Sequence, residues 1–422
     1  MEPSRHARWP VIAPEDKAAV LGVLDRGVLS GNFSPEIRAL EKDFARYIGT
    51  EHCLATNSGT AALHMALAAL GVGPGDEVII PAFTFVASAM AVLHQNAIPV
   101  FVDIEPVTWG MDPVKLEAAI TPRTRAIMPV HIHGTPCELD AILGVARRHG
   151  IPVVEDACQA HGALYKGRKV GSMGDLAAFS LQSSKNLACG EGGLLVANDT
   201  ALIERASRTR AFGENIKVSD SATYRIDRPL DSDRAYDSIE IGWMYRMTEL
   251  TAALARSQLT RLDFWNDQAR RNAAILTERL SQLPGVTPPT VPSDRVSCFH
   301  KYRVRLDATQ VGIHASPTRV RDAVVRALRS EGVDAVLWQG KPVPGQKLFV
   351  EKRGFGGGCP WDHGAPVSYD LGQYPETLKL LDTSLCLFSQ TFPIAPQPAD
   401  LCEAYADAFA KVWSRLDEAL ES

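Results

Sequence analysis

No apolar run in this 422-residue chain exceeds six residues, the length of Met65–Leu70. A membrane-spanning helix needs about 20, so none is expected, and no membrane partner. The opening stretch, MEPSRHARWPVIAPED, lacks the apolar segment of a secretory signal, which points to a cytoplasmic protein. Basic clusters are lacking as well. The 44 Lys and Arg residues against 49 Asp and Glu leave a net charge of −5, spread without blocks. Nucleic acid is therefore not expected as a partner, because phosphate neutralisation draws on clustered Lys and Arg. The eight cysteines stand at 53, 137, 158, 189, 298, 359, 386 and 402, never closer than 16 residues. That spacing excludes a CxxC metal knuckle, and a reducing compartment disfavours disulfides. The tight imidazole pair His131-x-His133 reads as packing near a strand end, and no metal is expected. A G-x-G-x-x-G fingerprint is missing too, which sets aside a nicotinamide dehydrogenase.

What is present is ordinary for a globular protein: 45% hydrophobic and 22% charged residues. At roughly 150 residues per domain, the length predicts two or three domains. From 50 to 200, short β-branched runs alternate with helical stretches. Val78–Ile80, Val100–Ile104, Ala126–His131 and Val153–Glu155 are apolar at nearly every position, as strands buried on both faces are. Ala61–Leu70, Ala87–His94, Pro113–Ile120 and Leu139–His149 read as the helices between them. This alternation predicts an α/β fold, a mainly parallel sheet sandwiched by helices, with ligands at the carboxyl ends of the strands. Thr248 to Leu283 then reads as nearly continuous helix, ended by Pro284-Gly285. A large domain over 1–260 and a smaller α+β domain over 261–422 follow from this. The smaller one includes strand Lys301–Leu306, helix Pro317–Glu331 and a last helix from Pro398 to Leu420. Gly213–Glu240 and Gly340–Pro375 are long and irregular, and loops of that length are functional or disordered. Aromatics in the second, 340–375, favour an ordered insertion.

Three features carry chemistry. Asn57-Ser58-Gly59-Thr60 opens an apolar helix, where a capped N-terminus and a glycine permit a phosphate to approach free N–H groups. Val153-Val154-Glu155-Asp156 is a buried strand ending in two carboxylates, one of which can face the ligand crevice and pair with a cationic ring nitrogen. Lys185 lies between two apolar segments, Phe179-Ser180-Leu181 and Leu194–Ala197, and is followed by Cys189-Gly190-Glu191-Gly192-Gly193. Burial lowers an amine pKa and frees it as a nucleophile. Singly, each has a bland reading: a plain helix cap, a structural ion pair, a buried charge. Together they describe a pyridoxal 5'-phosphate site, with lysine forming the Schiff base, aspartate holding the pyridinium N–H and the helix start binding phosphate.

The stretch SGTAALHMALAALGVGPGDEVIIPAFTFVASAMAVLHQNAIPVFVDIEP, with VVEDACQAHGA and FSLQSSKNLACGEGG, resembles the DegT/DnrJ/EryC1/StrS aminotransferases. SGNFSPEIRALEKDFARYIG upstream and GWMYRMTELTAALARSQLTRLD downstream extend the resemblance to about 25–310. It implies fold type I, the aspartate aminotransferase fold, and amino transfer from glutamate or glutamine to a keto-sugar, nucleotide-linked in many members, or a keto-cyclitol. Some relatives make an aromatic amino acid from a cyclohexenone precursor. Carried over, Lys185 is the lysine that bonds the cofactor and shuttles the proton, and Asp156 pairs with the pyridine nitrogen. Gln159 sits beside the ring and its phenolate oxygen, Phe85 stacks on the ring, and Gly59, Thr60 and Ser180 contact phosphate. Family members are homodimers with shared active sites. Met244 stands where the family often has an asparagine that reaches the neighbouring phosphate. Arg246 or Tyr245 is expected to replace it, Arg246 first, or one chain holds the phosphate alone. Aromatics and cations of 340–375, such as Lys347, Lys352 and Arg353, are expected either to meet substrate or to pack as a surface excursion. His300 and Tyr302 are expected near the cleft. A non-catalytic ligand sensor on the same fold would be favoured by loss of Lys185 or Asp156, and both are kept.

Overall fold

Strands hidden on both faces assemble the centre of the molecule. The computed structural model describes residues 6–31, 34–214 and 237–421, so most of the irregular Gly213–Glu240 segment lies outside the described residues. The first strands are β1 (His52–Thr56), β2 (Glu77–Pro81), β3 (Ile98–Val102), β4 (Thr124–Ile127) and β5 (Val154–Asp156). A short pair, β6 (Leu164–Tyr165) and β7 (Arg168–Lys169), precedes β8 (Leu176–Ser180) and β9 (Gly193–Ala197). β2 pairs in parallel with β3 and β4, and β5 in parallel with β8. β9 runs antiparallel between β8 and β1. Parallel bridges Ile127–Val153 and Val130–Asp156 join the two groups into one sheet, ordered β3-β2-β4-β5-β8-β9-β1.

Period-two alternation sorts side chains between the faces. Leu194 and Val196 of β9 pack with Phe44, Leu139 and Ile142, from the helices Pro35–Ile48 and Leu139–His149. Leu195 and Ala197 pack on the opposite side with the helix Gly59–Ala69. That helix is apolar all round because it is interior.

A second sheet follows, built from β10 (Val286–Thr287), β12 (Tyr302–Leu306), β13 (Ala335–Val336) and β14 (Ser384–Leu387); β11 (Arg295–Val296) pairs instead with β6. Its order is β10-β12-β14-β13, antiparallel throughout. Tyr302, Val304 and Leu306 point into a core shared with Val324 and Leu328 of the helix Pro317–Ser330 and Phe409 of the helix Ala399–Ser414. Among the described residues no helix is long and apolar enough to cross a membrane.

Three expected elements differ. The helix read over 248–283 is two, Glu249–Leu259 and Leu262–Leu280. Thr260 donates its hydroxyl to Ser257 O at 2.7 Å, and Arg261 leaves helical geometry to reach the buried Asp16 carboxylate at 2.6 Å. The last helix likewise breaks at Arg415, between Ala399–Ser414 and Leu416–Glu421. β4 stops at Ile127, short of the expected His131, and Ile132–Gly134 forms a tight turn with His133 at φ 56°.

The insertion 340–375 packs on the large sheet's edge. Val343 N donates to Ala82 O at 3.1 Å, and Tyr369 donates its hydroxyl to Pro99 O at 2.9 Å. Phe349, Trp361, Tyr369 and Tyr374 are buried with Phe101. β3 is an edge strand, and covering such an edge protects its backbone from unwanted pairing. Of the two expectations for these aromatics, packing is the one these four residues follow, while Phe355 stays exposed. Arg353 pairs with Glu351.

Candidate active site

The carboxyl ends of β2, β5 and β8 converge, and there the two adjacent acids at the end of β5 part company. Glu155 accepts hydrogen bonds from the N–H groups of Gly171, Met173 and Gly174 at 2.6–2.8 Å and pairs with His131 at 3.0 Å. Burial opposes its charge, but His131 and these N–H groups hold its pKa below the usual carboxylate range. Glu155 is thus structural. Asp156 turns to the other side. Its Oδ2 accepts from Ser88 Oγ at 2.7 Å and its Oδ1 from Cys158 N at 3.2 Å, and Ser88 shares a 2.7 Å hydrogen bond with Thr84. His131 and His133 are likewise taken separately: Arg303 Nε donates to His133 Nε2 at 3.0 Å.

Lys185 sits on the loop between β8 and β9. Leu181 and Cys189 close its base through Leu181 N to Gly192 O (2.8 Å) and Cys189 N to Leu181 O (2.9 Å). Trp9 Nε1 donates to Lys185 O at 3.0 Å, tying the N-terminal segment to the loop. Burial lowers the Lys185 pKa, while Cys158 and Asp156 act electrostatically to raise it. An amine with a depressed pKa, within electrostatic reach of a carboxylate, has the character of a nucleophile and proton carrier.

Beside them, Ser58 caps the helix Gly59–Ala69 by accepting from Ala61 N at 3.1 Å. A Cβ on Gly59 would stand 2.7 Å from Ser180 Cβ and 3.0 Å from Cys158 Sγ. Glycine alone lets this helix start press against the ends of β8 and β5. Its dipole and unspent N–H groups favour an anion at Gly59 and Thr60. Phe85 follows β2, is 49% exposed, and accepts from Ser88 N at 3.2 Å through its carbonyl. Gln159 is buried, with Oε1 accepting from His133 N at 2.9 Å.

The GWMYRM segment runs along the same helix start. Thr56 bridges Arg246 in antiparallel fashion, and Asn57 N donates to Tyr245 O at 2.8 Å. The Tyr245 hydroxyl is taken by His64 Nδ1 at 3.0 Å, so Tyr245 is the weaker substitute for the family asparagine. Glu249 is spent capping the helix Pro35–Ile48, accepting from Glu36 N and Ile37 N at 3.1 and 2.9 Å. It therefore offers Arg246 little as a partner. Met244 is 48% exposed.

Of the two residues expected near the cleft from the strand at 301–306, His300 shares a 3.3 Å hydrogen bond with Asn186. Tyr302 instead points into the small-sheet core, bonding Thr277 at 2.8 Å. Sequence reasoning did not find Trp9, Ser88, Asn186 or Arg303. Ser88 was within reach, since PAFTFVAS places it one helical turn after Phe85. Trp9 and Arg303 carry no local signal, because the contacts that tie them to the site, Trp9 to Lys185 and Arg303 to His133, each span more than 100 residues.

Comparison with known proteins gives one consistent result. The profile of the DegT/DnrJ/EryC1/StrS aminotransferase family matches residues 10–359. GDP-perosamine synthase of Caulobacter vibrioides is 40% identical, over 77% of this chain and 82% of its own. The L-glutamine:scyllo-inosose aminotransferase of Streptomyces griseus is 41% identical, over 71% and 70%. The crystal structure of 3-amino-5-hydroxybenzoic acid synthase superposes with a TM-score of 0.83 at 29% identity, covering 97% of this chain and 99% of that one. The fold is that of the type I pyridoxal-phosphate-dependent aminotransferases, and the chain belongs to the DegT/DnrJ/EryC1/StrS family as an aminotransferase.

Proposed function

We propose that this chain binds pyridoxal 5'-phosphate at the carboxyl end of its large sheet and moves an amino group from glutamate or glutamine to a keto-sugar, nucleotide-linked, or to a keto-cyclitol. One observation carries the reading: Lys185, Asp156 and a helix start closed to any side chain meet at a single place. The residues fit the group. Gly59, Thr60 and Ser180 would hold the phosphate, Asp156 would keep a proton on the ring nitrogen, and Phe85, still half-exposed, would stack on the ring. Gln159 would lie beside the phenolate oxygen. When bound, the cofactor supplies an electron-sink ring for the amino acid's Cα. Lys185 Nζ would take the Cα proton and return it.

A homodimer with shared active sites is part of this reading, and Arg246 is its candidate for reaching the partner's phosphate. Guanidinium binds phosphate in a fork, whereas Met244 offers no donor. Arg246→Ala is expected to weaken cofactor affinity ten- to a hundredfold, from loss of a charge-assisted bond of about 1.5–3 kcal/mol. Titration of pyridoxal phosphate into the apo variant, with its dimeric state checked in parallel, measures this. Gly59→Ala forces the helix start off Ser180 and should lower affinity about tenfold, by an overpacking cost of about 1–3 kcal/mol. The same titration reads it.

A screen of amino donors and keto acceptors, with products identified by mass spectrometry, tests the substrate class. The likeness to 3-amino-5-hydroxybenzoic acid synthase favours a second reading, synthesis of an aromatic amino acid from a cyclohexenone precursor. An aminocyclohexenone included in the screen, yielding an aromatic product, would select it.

A further inference from the structure

Lys301 is a buried lysine with no ion-pair partner among the described residues. It is 3% exposed, and its Nζ has no hydrogen-bond partner among the described residues. Burial pushes its pKa down to about 8. Asp334 reaches it electrostatically, yet that carboxylate already accepts from Ser389 N at 2.7 Å. Leaving an ammonium buried and unpaired is costly, so its retention calls for an explanation.

The strand gives the direction. Tyr302, Val304 and Leu306 face the small-sheet core, so Lys301, Arg303 and Arg305 lie on the opposite side of the chain, toward the large sheet. Arg303 is 1% exposed and donates to neutral acceptors, among them His133 Nε2, Ser384 Oγ and Trp338 O at 2.6–3.0 Å. Arg305 reaches Pro106 O at 3.3 Å. Among the described residues none of the three has a carboxylate partner.

The segment entering this strand is pinned to the active site from two sides. Asn186, next to Lys185, donates to Cys298 O at 2.9 Å and bonds His300. On the other side, Lys301 N donates to His133 O at 3.4 Å, and His133 N donates to Gln159. Lys301 is thereby held between the residue beside the reactive lysine and the residue three beyond Asp156. Its charge is felt at Lys185, His133 and His300.

We propose that Lys301 is a substrate-binding residue whose ammonium receives a carboxylate of the amino-acid donor, an assignment that rests on the aminotransferase reading above. Glutamate and glutamine both carry a carboxylate. Arg303 acts as a positioning residue, clamping the strand to the His133 turn and adding positive potential. The anion completes a site that is over-charged when empty.

Holoenzyme is titrated with glutarate, a dicarboxylate that has no amino group and cannot turn over, and separately with guanosine and thymidine diphosphates. Lys301→Met and Lys301→Gln remove the charge and keep most of the side-chain length. Both are expected to bind glutarate about tenfold more weakly or worse, with diphosphate affinity unchanged and a Tm equal to or above that of the parent. Unchanged glutarate affinity, a parent enzyme that binds no glutarate, or a loss confined to the diphosphates each overturns the assignment. Because glutarate binding needs no turnover, these outcomes are separate from failure of the donor and acceptor screen, which would overturn the aminotransferase substrate reading instead.

Discussion

Lys185→Ala should bind cofactor and lose turnover by at least about four orders of magnitude, since in the proposed function it removes both a covalent attachment and a proton carrier. The loop does not depend on the amine. Its backbone is closed by Lys185 N to Gln182 O (2.8 Å), Ser183 N to Gly190 O (2.9 Å) and the Trp9 contact to Lys185 O. Nor does the fold need the charge: burial first, and the Lys185 charge after it, hold the pKa values of its buried neighbours His161 and His300 down. Removing it relieves repulsion. Cofactor should therefore remain bound through the Gly59 and Ser180 seat and through Asp156, but become removable by dialysis. Borohydride treatment of the parent enzyme should fix the label on the peptide containing Lys185. The informative competitor is Lys301, a second buried lysine with a lowered pKa. Label on Lys301, or retained turnover in Lys185→Ala, would mean that the reactive amine has been misplaced.

The large sheet was legible because its strands are buried on both faces, which leaves a continuous apolar signature that few other structures share. Helices Ala87–His94 and Leu139–His149 carry their own stop signals and appear with the expected bounds. The break at Thr260-Arg261 was not legible, because Arg261 is an excellent helix former until Asp16, more than 200 residues away, draws it aside. The same reason hides Trp9 and Arg303. Insertion 340–375 was ambiguous for a different reason: aromatics between glycines and prolines suit stacking on a ligand and packing equally well. Only the exposed edge of β3, a property of sheet order, explains why they are used for cover. At the candidate site, sequence singles out residues with distinctive chemistry and passes over those with supporting chemistry. Lysine and aspartate announce themselves, whereas a serine that orients the aspartate looks like any helix-start serine.

That serine sharpens the second large expectation, for Asp156→Asn. The variant should fold and bind cofactor, with turnover lowered on the order of a hundredfold or more, as when a preorganised electrostatic contact is removed. Geometry predicts tolerance. Asn can keep its oxygen toward Cys158 N and turn its NH2 toward Ser88 Oγ, since the Ser88–Thr84 hydroxyl pair can reverse direction and accept. No donor is orphaned, so stability should change little. What is lost is the negative charge that would hold a proton on the cofactor's ring nitrogen, and without that proton the ring withdraws electrons poorly. Ser88→Ala supplies the control. It deletes one hydrogen bond to the carboxylate and keeps the charge, so its activity should lie between the parent and Asp156→Asn. Glu155 supplies the contrast: replacing it strips the acceptor from three N–H groups and His131, which should lower Tm sharply. Near-normal turnover in Asp156→Asn, with unchanged Tm, would show that another group faces the ring nitrogen and that β5 ends in two structural acids.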